Sequence, residues 1–265
     1  LDFQIKYSTY KIKKKKAKLL AIPTTAGSGA EVTSNSVIYI NKVKHSIENK
    51  NLKPDYFFLI PEFVIGAPKI IKSSSGFDAV SQAIESLISK KSNKASVRFA
   101  KKSLIISLKY YLEFLKNPNI KNTSAMCLAA NLSGKAINIS KTTAPHAVSY
   151  PFTSLFNISH GHAVSLTLNK FLKFNYKNIK KSDCNFNLKN RYDILFELTG
   201  SKNINYFDQY ILNIKKKAGL EENFNKLGID IKKNFSKIIS GTNIQRLSNN
   251  PIKLEKSDIK EILFK

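Results

Sequence analysis

The chain has four histidines, and three of them, His146, His160 and His162, fall within 17 residues; His45 is the fourth. Asp78 stands upstream in Gly76-Phe77-Asp78-Ala79, with Gln82 one helical turn later. One carboxylate and two imidazoles make a donor set for a first-row divalent metal, with coordination positions left open for Lewis-acid chemistry. A plainer reading stands beside it. Asp78 can be a favourable charge at a helix N-terminus, and each histidine can be a satisfied core or cap residue. Asp78 and Gln82 share a helix face, as do His146 and Tyr150. Pro145 suits the first turn of the helix that would carry His146.

A second candidate is the loop Pro23-Thr24-Thr25-Ala26-Gly27-Ser28-Gly29-Ala30-Glu31-Val32-Thr33. It follows a short apolar run, and its hydroxyls and glycines suit a phosphate or a ribose. It is neither a Walker loop nor a G-x-G-x-x-G fingerprint, so a plain strand–turn connection is equally open.

The elements that must position these residues change in texture along the chain. Leu19–Ile22, Val37–Ile40 and Tyr56–Ile60 are short apolar runs bounded by Pro or Asn, and read as strands. Beyond Pro68, helical spacing takes over at about 76–90, 93–116, 122–139, 144–156, 160–174, 190–199, 204–218 and 255–264. This predicts an α+β chain in which residues 1–68 are the end of an α/β unit and residues 69–265 an all-helical domain. Residues 1–68 are too few for a free-standing domain of that kind. The chain starts at Leu1 and its one methionine is Met126, so a fragment of a longer reading frame is expected.

Composition narrows the partners. Lys and Arg number 44 against 18 Asp and Glu, for a net charge of +26, which invites a nucleic-acid reading. Arginine, however, occurs only at Arg98, Arg191 and Arg246. Base reading and bidentate phosphate clamping favour arginine. The chain is also crowded with Ile and Asn, which share A/T-rich codons with Lys. Genome composition is therefore the simpler cause, and no nucleic-acid partner is expected. No apolar run reaches the roughly 18 residues of a membrane span. Two cysteines, Cys127 and Cys184, exclude a disulfide scaffold, and a cytoplasmic setting is the default expectation.

Taken in order, the Pro23–Thr33 loop, Gly76-Phe77-Asp78-Ala79, His146, His160-Gly161 and Asn249-Asn250-Pro251 resemble the iron-containing (group III) alcohol dehydrogenase family. The resemblance runs from about residue 17 to the C-terminus. It implies a Rossmann-like α/β domain followed by an all-helical domain (the dehydroquinate synthase-like fold), with metal and substrate in the cleft between them. It implies Asp78, His146 and His160 as metal ligands. Gln82 stands where the family usually has a further histidine; its amide oxygen is a weaker donor, and Fe2+ and Zn2+ both fit the set. Thr24, Thr25, Gly27, Ser28 and Lys44 would line NAD(H) or NADP(H). Tyr150 replaces another common histidine and would either relay a proton or pack. The family's glycine-rich diphosphate segment would lie upstream of residue 17, within on the order of 100–150 further residues.

Within the family, Ala130–Ala147 together with Gln82 and His160-Gly161-His162 is most similar to the phosphonoacetaldehyde reductase branch. A lysine and two hydroxyls, Lys141, Thr142 and Thr143, directly precede His146 and would cradle a phosphonate, with His162 adding a donor. Lys141 can equally be one more surface lysine. The expected activity is reduction of a small aldehyde, preferably phosphonoacetaldehyde. An unphosphonylated substrate and an inactive remnant are the alternatives, and a homodimer remains open.

Overall fold

The computed structural model describes residues 15–40 and 43–264. Two small sheets form first. Strand β1 (Leu20–Ala21) runs parallel to β4 (Tyr56–Phe57), pairing Leu20 with Tyr56. Strands β2 (Asn35–Ile40) and β3 (Val43–Glu48) make an antiparallel hairpin, Asn35 opposite Glu48. The three strands read from the sequence are present, though β1 and β4 stop short of Ile22 and Ile60. Strand β3 was not anticipated, because Lys44 and His45 interrupt its apolar pattern.

Helices make up the rest: α1 (Glu62–Ile65), α2 (Lys69–Ile88), α3 (Lys94–Lys116), α4 (Ile120–Ser140), α5 (Ala144–Phe156), α6 (His160–Lys177), α7 (Leu188–Thr199), α8 (Ile204–Ala218), α9 (Ile231–Ser240), α10 (Ile244–Leu247) and α11 (Lys256–Phe264). Asparagines start several of them. Asn93 and Asn119 close capping boxes on α3 and α4, and Asn203 accepts from the second and third amides of α8. Helices α9 and α10 were not read from the sequence, although Ile231, Phe235 and Ile238 follow helical spacing.

Helix α2 corrects one expectation. It begins at Lys69, behind Pro68, and not at Gly76. Asp78 therefore lies mid-helix, where helix-terminus charge offers it no stabilisation. The core has two parts. One joins α2, α3, α4, α7 and α8 through Phe77, Ile84, Leu104, Phe114, Tyr192 and Ile211. The other joins α5, α6, α9 and α11 through Val148, Phe152, Leu166, Ile238 and Ile262. Burying each such side chain contributes roughly 1.5–3 kcal/mol. Helix α2 meets α5 and α6 along the seam between the two parts. No described helix is long and apolar enough to cross a membrane.

Candidate metal centre

Three helices converge on that seam, each bringing one polar side chain. Asp78 comes from α2, His146 from the first turn of α5, and His160 from the first residue of α6. Their ligating atoms lie within 4.8 Å of one another. The close approach of α6 to α2 requires Gly161: a Cβ there would stand 1.9 Å from the Ser74 carbonyl oxygen and 2.9 Å from Asp78 Cβ. Without that glycine, His160 could not reach Asp78. The His146 and His160 rings meet edge to face at 5.4 Å, and Tyr150 stands edge-on to His160 at 6.3 Å.

The arrangement is held from behind by a residue that sequence reading missed. Glu85 is fully buried, two helical turns after Asp78 on the same face of α2. One of its oxygens accepts a hydrogen bond from His146 Nδ1, and the other accepts from the Thr143 amide at 2.6 Å and the Thr143 hydroxyl at 2.7 Å. His146 Nε2 then points to Asp78 Oδ1 at 3.1 Å. Burial alone would lower the His146 pKa, but the carboxylates of Glu85 and Asp78 outweigh it and hold the imidazole up to about 9. A carboxylate behind a histidine fixes the ring orientation and raises its basicity as a ligand, so the set fits a divalent metal.

Several predicted site residues stand differently from expectation. Gln82 turns its amide oxygen to Ser133 (3.1 Å) and its nitrogen to Asp78 Oδ2 (3.0 Å), so it orients Asp78 instead of offering an oxygen to a metal. Thr143 is buried against Glu85 and faces away from the cleft. His162 also turns away, its Nε2 bonded to the Glu221 carbonyl at 2.8 Å. His162 is two residues from His160 on α6, so helix geometry turns it elsewhere, while Thr143, the residue before α5, is turned inward by its two hydrogen bonds to Glu85.

The trio opens into a cleft of about 1040 Å³ between the helices and the β2–β3 hairpin. Lys141, Thr142 and Tyr150 line it, as do Ser28 and Arg246. Lys141 bonds the Asn138 carbonyl and pairs with Glu48 at 2.5 Å. Its backbone is at φ 59 and ψ 171, a region almost reserved for glycine. Asn249 clamps this turn, donating to the Ser140 and Thr142 carbonyls on either side at 2.9 Å each. That is the work of the Asn249-Asn250-Pro251 motif, whose second asparagine pairs with Asn175.

The glycine loop packs on the helices through its backbone. Gly29, at φ 61, lies so close to Gly134 of α4 that a Cβ would stand 2.5 Å from the Gly134 Cα. Gly27 sits equally tightly on Ser75. Thr24, Thr25 and Ser28 are exposed, with Ser28 on the cleft and the two threonines outside its lining. Lys44 is on β3, with its side chain outside the described residues.

Comparison with known proteins gives the family. Residues 72–265 match the model of the "Fe-containing alcohol dehydrogenase family, C-terminal", and residues 2–61 match "Iron-containing alcohol dehydrogenase". The phosphonoacetaldehyde reductase of Streptomyces viridochromogenes is 29% identical over 170 residues, covering 63% of this chain and 43% of that protein. The 4-hydroxybutyrate dehydrogenase of Clostridium kluyveri is 30% identical over 168 residues, covering 62% and 45%. The chain thus spans less than half of these relatives in the matched region. The crystal structure of a sulfoacetaldehyde reductase from Bifidobacterium kashiwanohense in complex with NAD+ superposes with a TM-score of 0.84 at 27% identity, covering 94% of this chain and 65% of that one.

Proposed function

The chain belongs to the iron-containing alcohol dehydrogenase family, and from that premise we propose that it carries the metal and substrate half of a nicotinamide-linked reductase of small aldehydes. The observation behind this reading is the convergence of Asp78, His146 and His160 at the floor of the cleft. When bound there, Fe2+ or Zn2+ would polarise an aldehyde oxygen, and NADH or NADPH would supply the hydride.

The chain's own residues have separable tasks in this proposal. Asp78, His146 and His160 would hold the metal, with Gln82 orienting Asp78 and Glu85 orienting His146. Tyr150 is held by Arg246, whose Nε donates to its hydroxyl at 2.9 Å, and it stands beside His160. It is the group placed to pass a proton to the reduced carbonyl oxygen. Ser28 at the cleft, with Thr24 and Thr25 exposed on the same loop, would hold the cofactor.

The preferred substrate is phosphonoacetaldehyde, giving 2-hydroxyethylphosphonate. Support comes from the charge of the cleft, whose lining carries Lys50, Lys91, Lys141 and Arg246 against Glu48 and Asp78. The names of two relatives also point to substrates with an anionic head. A neutral small aldehyde is the second reading, favoured by the compensation of Lys141 by Glu48. The test is steady-state reduction of phosphonoacetaldehyde and of propanal by the metal-loaded protein, with NADH and with NADPH. A higher kcat/KM for phosphonoacetaldehyde is expected. A preference for propanal would overturn the substrate, and reduction of neither would overturn the activity.

A further inference from the structure

Arg246 stands out once the cleft is mapped. It is one of three arginines in the chain, and its guanidinium reaches both walls. Nε donates to the Tyr150 hydroxyl at 2.9 Å and Nη1 to Thr142 Oγ1 at 2.6 Å. With the Asn35 amide oriented to satisfy its neighbours Ser46 and Ile47, its oxygen accepts from Nη2 at 3.3 Å. All three partners are neutral. Among the described residues no carboxylate pairs with Arg246, whereas the cleft's Lys141 is matched by Glu48. A guanidinium has five N–H donors. Three are engaged by these partners, which leaves two, one on each terminal nitrogen, to bond an oxyanion.

The position of Arg246 is built into the fold. Pro151 interrupts α5 and has no N–H to give to the Ala147 carbonyl. The Asn243 amide takes that carbonyl instead, at 3.1 Å. Asn243 in turn caps α10, its side chain accepting from the Arg246 amide at 2.9 Å. The proline in α5 therefore docks the segment that aims Arg246 at Tyr150, one side chain away from His160.

We infer that Arg246 reads the acid head of the substrate: with an aldehyde carbonyl at the Asp78–His146–His160 floor, the guanidinium binds a phosphonate at the far end of a short molecule. This rests on the aldehyde-reductase reading and moves the anion site from the Lys141–Thr143 turn to α10. Thr142 and Tyr150 fix the guanidinium plane, and the lysines at the rim add only a diffuse field. Arginine is suited to this task because its planar fork matches two phosphonate oxygens at once.

The experiment compares Arg246→Gln and Arg246→Lys with the parent protein in its metal-loaded form. Arg246→Gln should lower kcat/KM for phosphonoacetaldehyde at least about tenfold more than that for propanal, which itself falls because Tyr150 loses its hydrogen-bond partner. Arg246→Lys, which keeps the charge and loses the fork, should fall in between. Equal losses on both substrates would overturn the inference and leave Arg246 as a staple between the walls. Calorimetric titration with methylphosphonate separates this from the activity itself. The parent should bind it and Arg246→Gln should bind at least about tenfold more weakly, even if no aldehyde is turned over. Unchanged binding in Arg246→Gln, with an unchanged melting temperature, would sink the proposal.

Discussion

The two walls of the cleft are built on different principles. The helical wall is dry and closed: Glu85 and Thr143 are fully buried, His146 and Asn249 nearly so, and each has hydrogen-bond partners within the wall. The strand wall is open. Val37 and Glu48 of the hairpin are exposed, and the β1–β4 pair leaves Leu20 at 47% and Tyr56 at 58% exposure. The strand side is tied to the helices by Lys141 to Glu48, Arg246 to Asn35 and the Ser34 amide to Asn138, and nearer the loop by Asn131 to Glu31 and Lys135 over the Phe57 ring. Geometry at the proposed metal site is therefore set by a preorganised interior, while the strand wall provides charge and hydroxyls that face the cleft. Changes to the buried residues of the helical wall that support Asp78, His146 and His160 should damage metal binding and stability together. Changes to the other side should alter ligand preference at little cost in stability.

The sharpest way to break this contrast is Glu85→Ala. It removes the acceptor for His146 Nδ1, the Thr143 amide and the Thr143 hydroxyl at once, and leaves buried donors unpaired. A stability loss of about 3 kcal/mol is expected, with metal affinity weakened about 10–100-fold. Denaturant titration and metal titration check the two. Glu85→Gln should retain more stability than affinity, because an amide can still accept from Thr143 but carries no charge toward His146.

A smaller effect concerns pH. Metal must displace the proton that Glu85 and Asp78 hold on His146 up to about pH 9. Metal affinity should thus rise with pH and level off above about 9, by about tenfold per unit below it. The metal-free protein should move the other way. A histidine whose pKa is raised on folding adds stability that is fully present below the unfolded value, about 6.5. That stability is lost as pH rises through about 9. Chemical denaturation with and without metal from pH 6 to 10 reads both trends, and a flat metal-affinity profile would contradict the Glu85–His146–Asp78 relay.

The smallest expected effect lies at the turn joining α4 to α5. Lys141 is held in a glycine-like conformation by Asn249 on both sides. Lys141→Gly should stabilise the protein by about 1 kcal/mol, the relief of backbone strain exceeding the loss of the half-buried pair with Glu48. A rise in melting temperature is the readout.

The helical wall was also the more legible of the two. Histidine is so scarce here that its clustering marked the centre, and helices 144–156 and 204–218 were read to the residue. Glu85 was within reach of the same reasoning, being seven residues beyond Asp78 on one helix face, but a carboxylate in an apolar helix gives no signal until its partner is known. Thr143 and His162 turn away from the cleft because proximity in sequence to a cleft residue says little about direction: successive helix residues diverge by about 100°, which turns His162 from the side of His160, and Thr143 in the turn before α5 is drawn to a buried carboxylate 58 residues away. Arg246 lies 96 residues from Tyr150 and 104 from Thr142, so no local pattern joins them. Strand β3 alternates weakly and takes its identity from pairing with β2, a non-local fact.

The central claim is that Asp78, His146 and His160 hold one divalent metal. Elemental analysis after loading with Fe2+ or Zn2+ and desalting tests it directly, on the parent protein and on the Asp78→Ala/His160→Ala double variant. The account predicts one metal per chain in the parent and none retained in the folded double variant. Retention of a full equivalent by the double variant would contradict it.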